Sequence, residues 1–413
     1  MSENTTRTPA YSWYALALLM LIYVLNFLDR TIIYILFPLI KKEMAFSDTQ
    51  LALLGTTSFV IFYTVLGIPF GRLADRGSRT KIIAIGVIIW SLFSGLTAFA
   101  TDFWTLFACR VMVGVGEATL GPAAISLLSD FFPPLRRATV TSIYSTGIAI
   151  GAGLAALLGG SLSQYGWRTA FMLIGFPGLV FGSFVFFLRE PTRTTDEAVD
   201  TDYSKTDWKA LVTNKSFILL CLGYALMGLA TNNLSIWGAT FYSRLHKFDL
   251  PTIGFWGGIL TLAAGIPATL FGGAIADWFH RIGRGRMFYG ALLSLFSVPF
   301  WLLLIFTDNA YLILAANFFL LAAALAWLGA AAADVTEITG VHLRGLGIAV
   351  YFFSVNIAAY LIGSNLIGYL NDLLGATEDP AMLRYSLLVC PAACVLSAVF
   401  LFTGAASLRR THK

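Results

Sequence analysis

Hydrophobic residues run through this chain in long stretches broken by short polar ones, with neither the two-residue alternation of strands nor the one-sided stripe of surface helices. A run of about 18 or more apolar residues can cross the hydrocarbon core of a bilayer as a helix. Twelve such runs lie near 14–40, 51–70, 82–100, 103–129, 138–162, 169–188, 216–242, 253–276, 287–306, 309–333, 345–370 and 385–407. The pattern predicts an all-α membrane protein with twelve transmembrane helices. Composition agrees, since 58% of residues are hydrophobic and 12% charged, against about 25% charged in soluble domains.

Topology follows from the loops. Lys and Arg concentrate on the cytoplasmic side of membrane proteins, and most of the 27 basic residues fall in loops on one side if both termini are inside. The first apolar run is too long for a cleaved signal and lacks a small-residue cleavage site, so it is expected to stay as helix 1. The net charge of +5 is accounted for by those loops and implies no nucleic-acid partner. Cys109, Cys221, Cys390 and Cys394 all lie inside apolar runs and read as packed thiols without disulfides. His246, His280, His342 and His412 fall in loops or tails, with no spacing that suits a metal. No metal or cofactor is expected, and the chain reads as a monomer.

Against this background four residues stand out. Asp29, Arg30, Arg110 and Glu117 are the charges inside apolar runs, two on the first and two on the fourth. An ionised side chain in mid-bilayer costs roughly 3 kcal/mol or more, so such residues are usually paired and usually functional. Asp29 lies about 22 Å along helix 1 at 1.5 Å per residue, a depth that overlaps helix 4. Arg110 and Glu117 are seven positions apart and share a face, whereas Asp29 and Arg30 point about 100° apart. Arginine keeps its proton and suits anionic groups. The carboxylates are the natural proton carriers. Asp29 and Glu117 are therefore expected to hold Arg30 and Arg110 until protonation frees an arginine for an anionic head group. The competing reading is a static ion network that fixes helix packing.

The chain also repeats itself. Gly71-Arg-Leu-Ala-Asp75-Arg76-Gly-Ser-Arg79-Thr-Lys81 follows the second run, and Gly273-Ala-Ile-Ala-Asp277 follows the eighth, 202 positions later. Arg137, after the fourth run, corresponds to Arg344 after the tenth. The repeat divides the chain into a bundle at 1–188, a polar cytoplasmic linker at 189–215 and a second bundle at 216–413. Two six-helix halves rocking about a midplane site are an organisation of transporters. In this setting Asp75, Arg76, Arg79, Arg137 and Asp277 are the gating candidates, since contacts between helix ends and charged loops form and break. The second half shows no charge within its runs, only polar and aromatic candidates such as Asn232, Tyr351 and Asn356. A charged first half facing an apolar, aromatic second half suits an anionic amphiphile.

The Gly-x-Leu-Ala-Asp-Arg-x-Ser-Arg-x-Lys loop and Arg110-Val-Met-Val-Gly114-Val-Gly116 resemble signatures of the major facilitator superfamily. That resemblance implies a two-bundle fold and a loop that latches the cytoplasmic side. Asn26-Phe27-Leu28-Asp29-Arg30, with Arg110 through Glu117-Ala118, is similar to the Spinster family, whose members are proton-linked carriers of lysolipids and sphingolipids, including sphingosine 1-phosphate. The resemblance implies roles for Asp29, Arg30, Arg110 and Glu117, and places Asn26 beside them. Short tails point to a bacterial relative in the inner membrane. Hexuronate-type organic-anion/proton symporters carry a similar helix 1 and helix 4 and form the alternative. Drug/proton antiporters rank lower, because Gly147-x-x-x-Gly151-x-Gly153 lacks their Gly-Pro step. The expected partners are protons, the lipid bilayer and an anionic lipid-like or organic-anion substrate. No His-Glu-x-x-His, Gly-x-Ser-x-Gly or phosphate loop occurs, so no enzyme is expected. A receptor without transport differs from this reading by the absence of net flux.

Overall fold

The computed structural model describes residues 10–191, 209 and 211–411, and every regular element among them is a helix. In chain order these are α1 (Ala10–Met44), α2 (48–76), α3 (Arg79–Leu96), α4 (103–131), α5 (Pro134–Leu162), α6 (Trp167–Phe186), α7 (Lys215–Leu245), α8 (Leu250–Arg281), α9 (Arg286–Phe306), α10 (Ala310–Gly340), α11 (Leu343–Leu373) and α12 (Pro380–Arg409). Eleven are long and apolar enough to cross a membrane. The twelfth, α4, consists of Phe103–Glu117 and Leu120–Phe131. Its division is local: Thr119 N–H and Oγ1 both donate to the Gly116 carbonyl, at 3.3 and 2.9 Å, tightening one turn directly after Glu117.

The start of α1 and the end of α12 share the terminal face of the bundle, and the α1–α2, α7–α8 and α11–α12 turns share the opposite, distal face. In the first half α1 packs along α5 and α3 along α6; in the second, α7 and α9 pack along α12 and α8 along α10. The halves meet mainly where α5 crosses α8 and where α1 runs beside α7. Glycine sets the first crossing, since a Cβ on Gly160 would lie 2.7 Å from both Gly254 Cα and the Leu250 carbonyl oxygen.

Two helices are locally widened into π-turns, α2 at Leu53–Thr57 and α11 at Ile357–Gly363, a distortion often found at functional sites. They pack together, and Asn365 donates to Thr57 Oγ1 at 2.7 Å across the halves. One boundary differs from the hydropathy reading. α10 continues past 333 to Gly340, whose φ of 69° and ψ of −176° a glycine tolerates and other residues resist. The extension places Asp334 and Glu337 on a helix rather than in a loop.

Candidate substrate and coupling site

The four charges on α1 and α4 come together near mid-depth, but not as two matched pairs. Arg30 donates to Glu117 Oε2 from Nε at 3.0 Å and Nη2 at 2.7 Å. The rings of Phe27, Phe59 and Tyr63 surround its guanidinium at 4.9, 4.6 and 4.7 Å, a cation–π cage that helps hold a charge away from water. Asn26 Oδ1 lies 3.5 Å from Nη2.

Asp29 points elsewhere. It is buried and accepts from Ser94 Oγ on α3 at 2.7 Å, with no arginine among the described residues in hydrogen-bond reach. Arg110 is fully buried, and none of its three guanidinium nitrogens has a hydrogen-bond partner among the described residues; the Phe59 ring lies 5.9 Å away. The expected pairing of both acids with both arginines is thus met only by Arg30 and Glu117. The reason is register: the 100° step from Asp29 to Arg30 directs Asp29 to α3.

The glycines of the α4 motif make this arrangement possible. A Cβ on Gly114 would lie 2.6 Å from the Phe59 carbonyl oxygen on α2, and one on Gly116 would lie 2.7 Å from the Gly86 oxygen and Trp90 nitrogen on α3. Both neighbours therefore close on α4 within one turn of Glu117.

Arg30 also forms part of the wall of a cavity of ≈ 110 Å³ between the halves, with Tyr34, Ile148, Asn232, Leu325 and Tyr360 among its other lining residues. Tyr360 donates to Asn232 Oδ1 at 2.8 Å from the π-turn of α11. A second cavity of ≈ 250 Å³ lies toward the distal face, bounded by Ile35, Ala156, Tyr242, Trp256, Leu260 and Asn317. Thr31, Ala152, Ser235, Thr261 and Leu321 border both. The pair forms a chamber with one cationic end and a longer, mostly apolar end.

Other candidates fall outside the chamber. Tyr351 is buried against Tyr224, ring centroids 6.3 Å apart and edge-on. Asn356 ends the regular part of α11 before its π-turn and borders neither cavity. The second half also holds a charge that the hydropathy reading missed: Asp334, 4% exposed on the extended α10.

At the terminal face, Arg79 is 2% exposed and donates to Asp130 at 2.5 Å, Ser126 at 3.0 Å and Glu190 at 2.7 Å. Burial alone would raise the Glu190 carboxyl, but donors from Arg79, Thr80 N–H and Ser78 outweigh it and hold it below the usual range. Arg137 Nε donates to the carbonyls of Ser129 at 2.9 Å and Phe132 at 3.4 Å, capping the end of α4. Asp277 accepts from Arg286, which also reaches Glu337, each at 2.8 Å. Arg76 is exposed, and the side chain of Asp75 lies outside the described residues. None of these contacts of Arg79, Arg137 and Asp277 joins the two halves.

Among the described residues the charged ties between halves are instead distal. Asp48, fully buried at the start of α2, receives Nη1 and Nη2 of Arg244 on α7 at 2.7 and 2.8 Å and Lys41 Nζ at 2.6 Å. In return Asp372 on α11 accepts from the N–H groups of Asp48 and Thr49 at 2.9 and 2.8 Å. No periodic signal marked these residues, because charges at span ends are ordinary and their partners lie 196 and 324 positions away.

Residues 19–292 match the Major Facilitator Superfamily. The chain belongs to that superfamily. It is a multi-pass membrane transporter related to Spinster proteins. A solved bacterial homologue of the human lysosomal transporter Spinster, inward-facing and unoccupied, superposes with a TM-score of 0.85 at 26% identity, over 97% of this chain and 98% of that one. An MFS-type efflux pump of Mycolicibacterium smegmatis is 27% identical over 97% of this chain and 94% of its own length. A hexuronate transporter of Bacillus subtilis is 31% identical over 42% of each chain.

Proposed function

We propose that this transporter moves an anionic amphiphile, of the lysolipid or sphingosine 1-phosphate kind, by alternating access coupled to protons. The observation that carries the reading is Arg30, gripped by Glu117 on one side and facing the chamber on the other. A phosphate or carboxylate head group would compete with Glu117 for the same guanidinium. Its apolar tail would lie toward Trp256 and Leu260. Protonation of Glu117 would release Arg30 to the head group, and departure of the cargo would favour deprotonation and return of the pair. Arg110 is the reserve cation of the same site, and Asp29 is the second proton carrier, held on α3.

The distal ties from Asp48 and Asp372 support a state open toward the terminal face, comparable to the inward-facing conformation in which the Spinster homologue was solved. With the basic loops inside, the terminal face is cytoplasmic and the membrane is a bacterial inner membrane. Import and export differ only in which gradient drives the cycle.

The polar pair Asn232 and Tyr360 opposite Arg30 favours one further reading, a hydrophilic organic anion such as a hexuronate. A liposome flux assay separates the two. Lysophospholipid or sphingosine 1-phosphate should move faster than hexuronate when a pH gradient is imposed. Preferential flux of hexuronate would replace the amphiphile reading, and flux of either cargo indifferent to the pH gradient would remove proton coupling.

A further inference from the structure

The second half carries its own buried acid, away from the chamber. Asp334 sits two turns beyond Trp327 on α10, beside the packed cluster of Tyr224, Trp327, Ala331, Val335 and Tyr351. Its Oδ2 has no hydrogen-bond partner among the described residues. The buried hydroxyl of Tyr224 and Nε1 of Trp327 are likewise unsatisfied there, and the Tyr224 ring stacks on Trp327 at 5.4 Å. An ionised carboxylate in such a place costs far more than the neutral acid unless a cation joins it.

Among the described residues one arginine is near, and it is engaged elsewhere. Arg286, at the start of α9, donates to Asp277 on α8 and to Glu337 on α10. Glu337 lies three positions after Asp334, on the same face of α10, so one guanidinium is within range of both acids. The groups around Asp334 are Tyr224 on α7, Asp277 and His280 on α8, Arg286 and Tyr289 on α9, Glu337 on its own helix and Tyr351 on α11.

We propose that Asp334 is a proton-binding site separate from that of α1 and α4, and that its proton keeps Arg286 on Asp277 and Glu337. Loss of the proton to water at the terminal face, through the half-exposed Glu337 and Asp277, leaves a carboxylate that draws Arg286 inward. Asp277 is then released and the end of α8 comes free of α9 and α10. The device ties protonation to the mobility of α8, the helix that crosses α5 between the halves. It does not depend on the identity of the cargo.

The test uses the full chain in liposomes without substrate. Infrared difference spectra between wild type and Asp334→Asn should show a protonated-carboxyl C=O band present in wild type at neutral pH and lost on alkalinisation. Hydrogen exchange over 273–284, corrected for intrinsic rates, should rise by about threefold in wild type at alkaline pH and stay flat in Asp334→Asn. Asp277→Asn should exchange fast at both pH values. The proposal is overturned if the difference spectrum lacks that band, or if wild-type exchange ignores pH. It is equally overturned if Asp334→Asn cannot be recovered folded, because a neutral isostere of a neutral acid must be tolerated; the wild-type pH titration of the carboxyl band stands without any variant.

Discussion

Arg30 places two nitrogens on one oxygen of Glu117, at 3.0 and 2.7 Å, and leaves Glu117 Oε1 buried without a partner among the described residues. The pair is strong on one side and open on the other. Removing one member of a buried pair typically costs about 3–5 kcal/mol, so Arg30→Ala should lower thermal stability clearly, and Glu117→Gln less, since the amide oxygen still accepts from Arg30. In flux assays Glu117→Gln should lose about tenfold or more of its gradient-driven rate while still binding cargo. Unchanged gradient-driven uptake in Glu117→Gln would make the pair purely structural.

The distal tie is testable on its own. Arg244→Ala removes a bidentate cation from the fully buried Asp48 and leaves only Lys41. A loss of about 1.4 kcal/mol in closure changes the state ratio tenfold, and the loss of this pair should exceed that. Double electron–electron resonance between labels on the distal ends of α1 and α11 should show a broadened, longer distance distribution. A distribution that matches wild type would mean the tie does not set the resting state.

Close helix crossing predicts an unequal response of two glycines. Gly160→Ala drives a methyl against the backbone of α8, which cannot yield, and should cost about 1–3 kcal/mol. Gly273 faces open space within 4 Å, so Gly273→Ala should be neutral or raise stability by about 0.5–1 kcal/mol through helix propensity. Thermal unfolding in detergent measures both. Equal effects would show that the α5–α8 crossing tolerates separation.

Acid sensitivity should map partly to the terminal face. The Glu190 carboxyl is held low in the folded chain, so its ionised form stabilises the fold fully above the ordinary glutamate range. That contribution fades as pH falls from that range down through the lowered folded value. Its side chain is 30% exposed, which limits the effect to about 1 kcal/mol or less. Glu190→Gln should therefore flatten the acid limb of the stability profile and lower the neutral plateau slightly. The same acid slope in both proteins would clear Glu190 of this role.

Much of the architecture is legible because hydrocarbon demands long apolar stretches, and eleven of the spans meet that demand. Asp29, Arg30, Arg110 and Glu117 are legible for the converse reason: charge within such a length is costly. What escapes is direction and partnership. Nothing in the order of residues says that Asp29 turns to Ser94 while Arg30 takes Glu117. Asp334 escapes by one position, because the apolar run reads as ending at 333 while the helix continues. Tyr351 looks like a chamber residue by composition, yet helical phase directs it to Tyr224. Asp48 and Arg244 are joined by tertiary closure alone.

The reach of Asp372 to the first turn of α2 has an unequal genetic consequence. Two of its three donors are main-chain amides, of Asp48 and Thr49, which every residue except proline supplies; the third is the Thr49 hydroxyl at 2.6 Å. Sequence drift at the start of α2 therefore leaves the two amide contacts in place and removes at most the hydroxyl one, whereas loss of the Asp372 carboxylate weakens all three. Variants that loosen the distal closure by this route should arise at position 372 of the second half, and rarely among the amides that it holds.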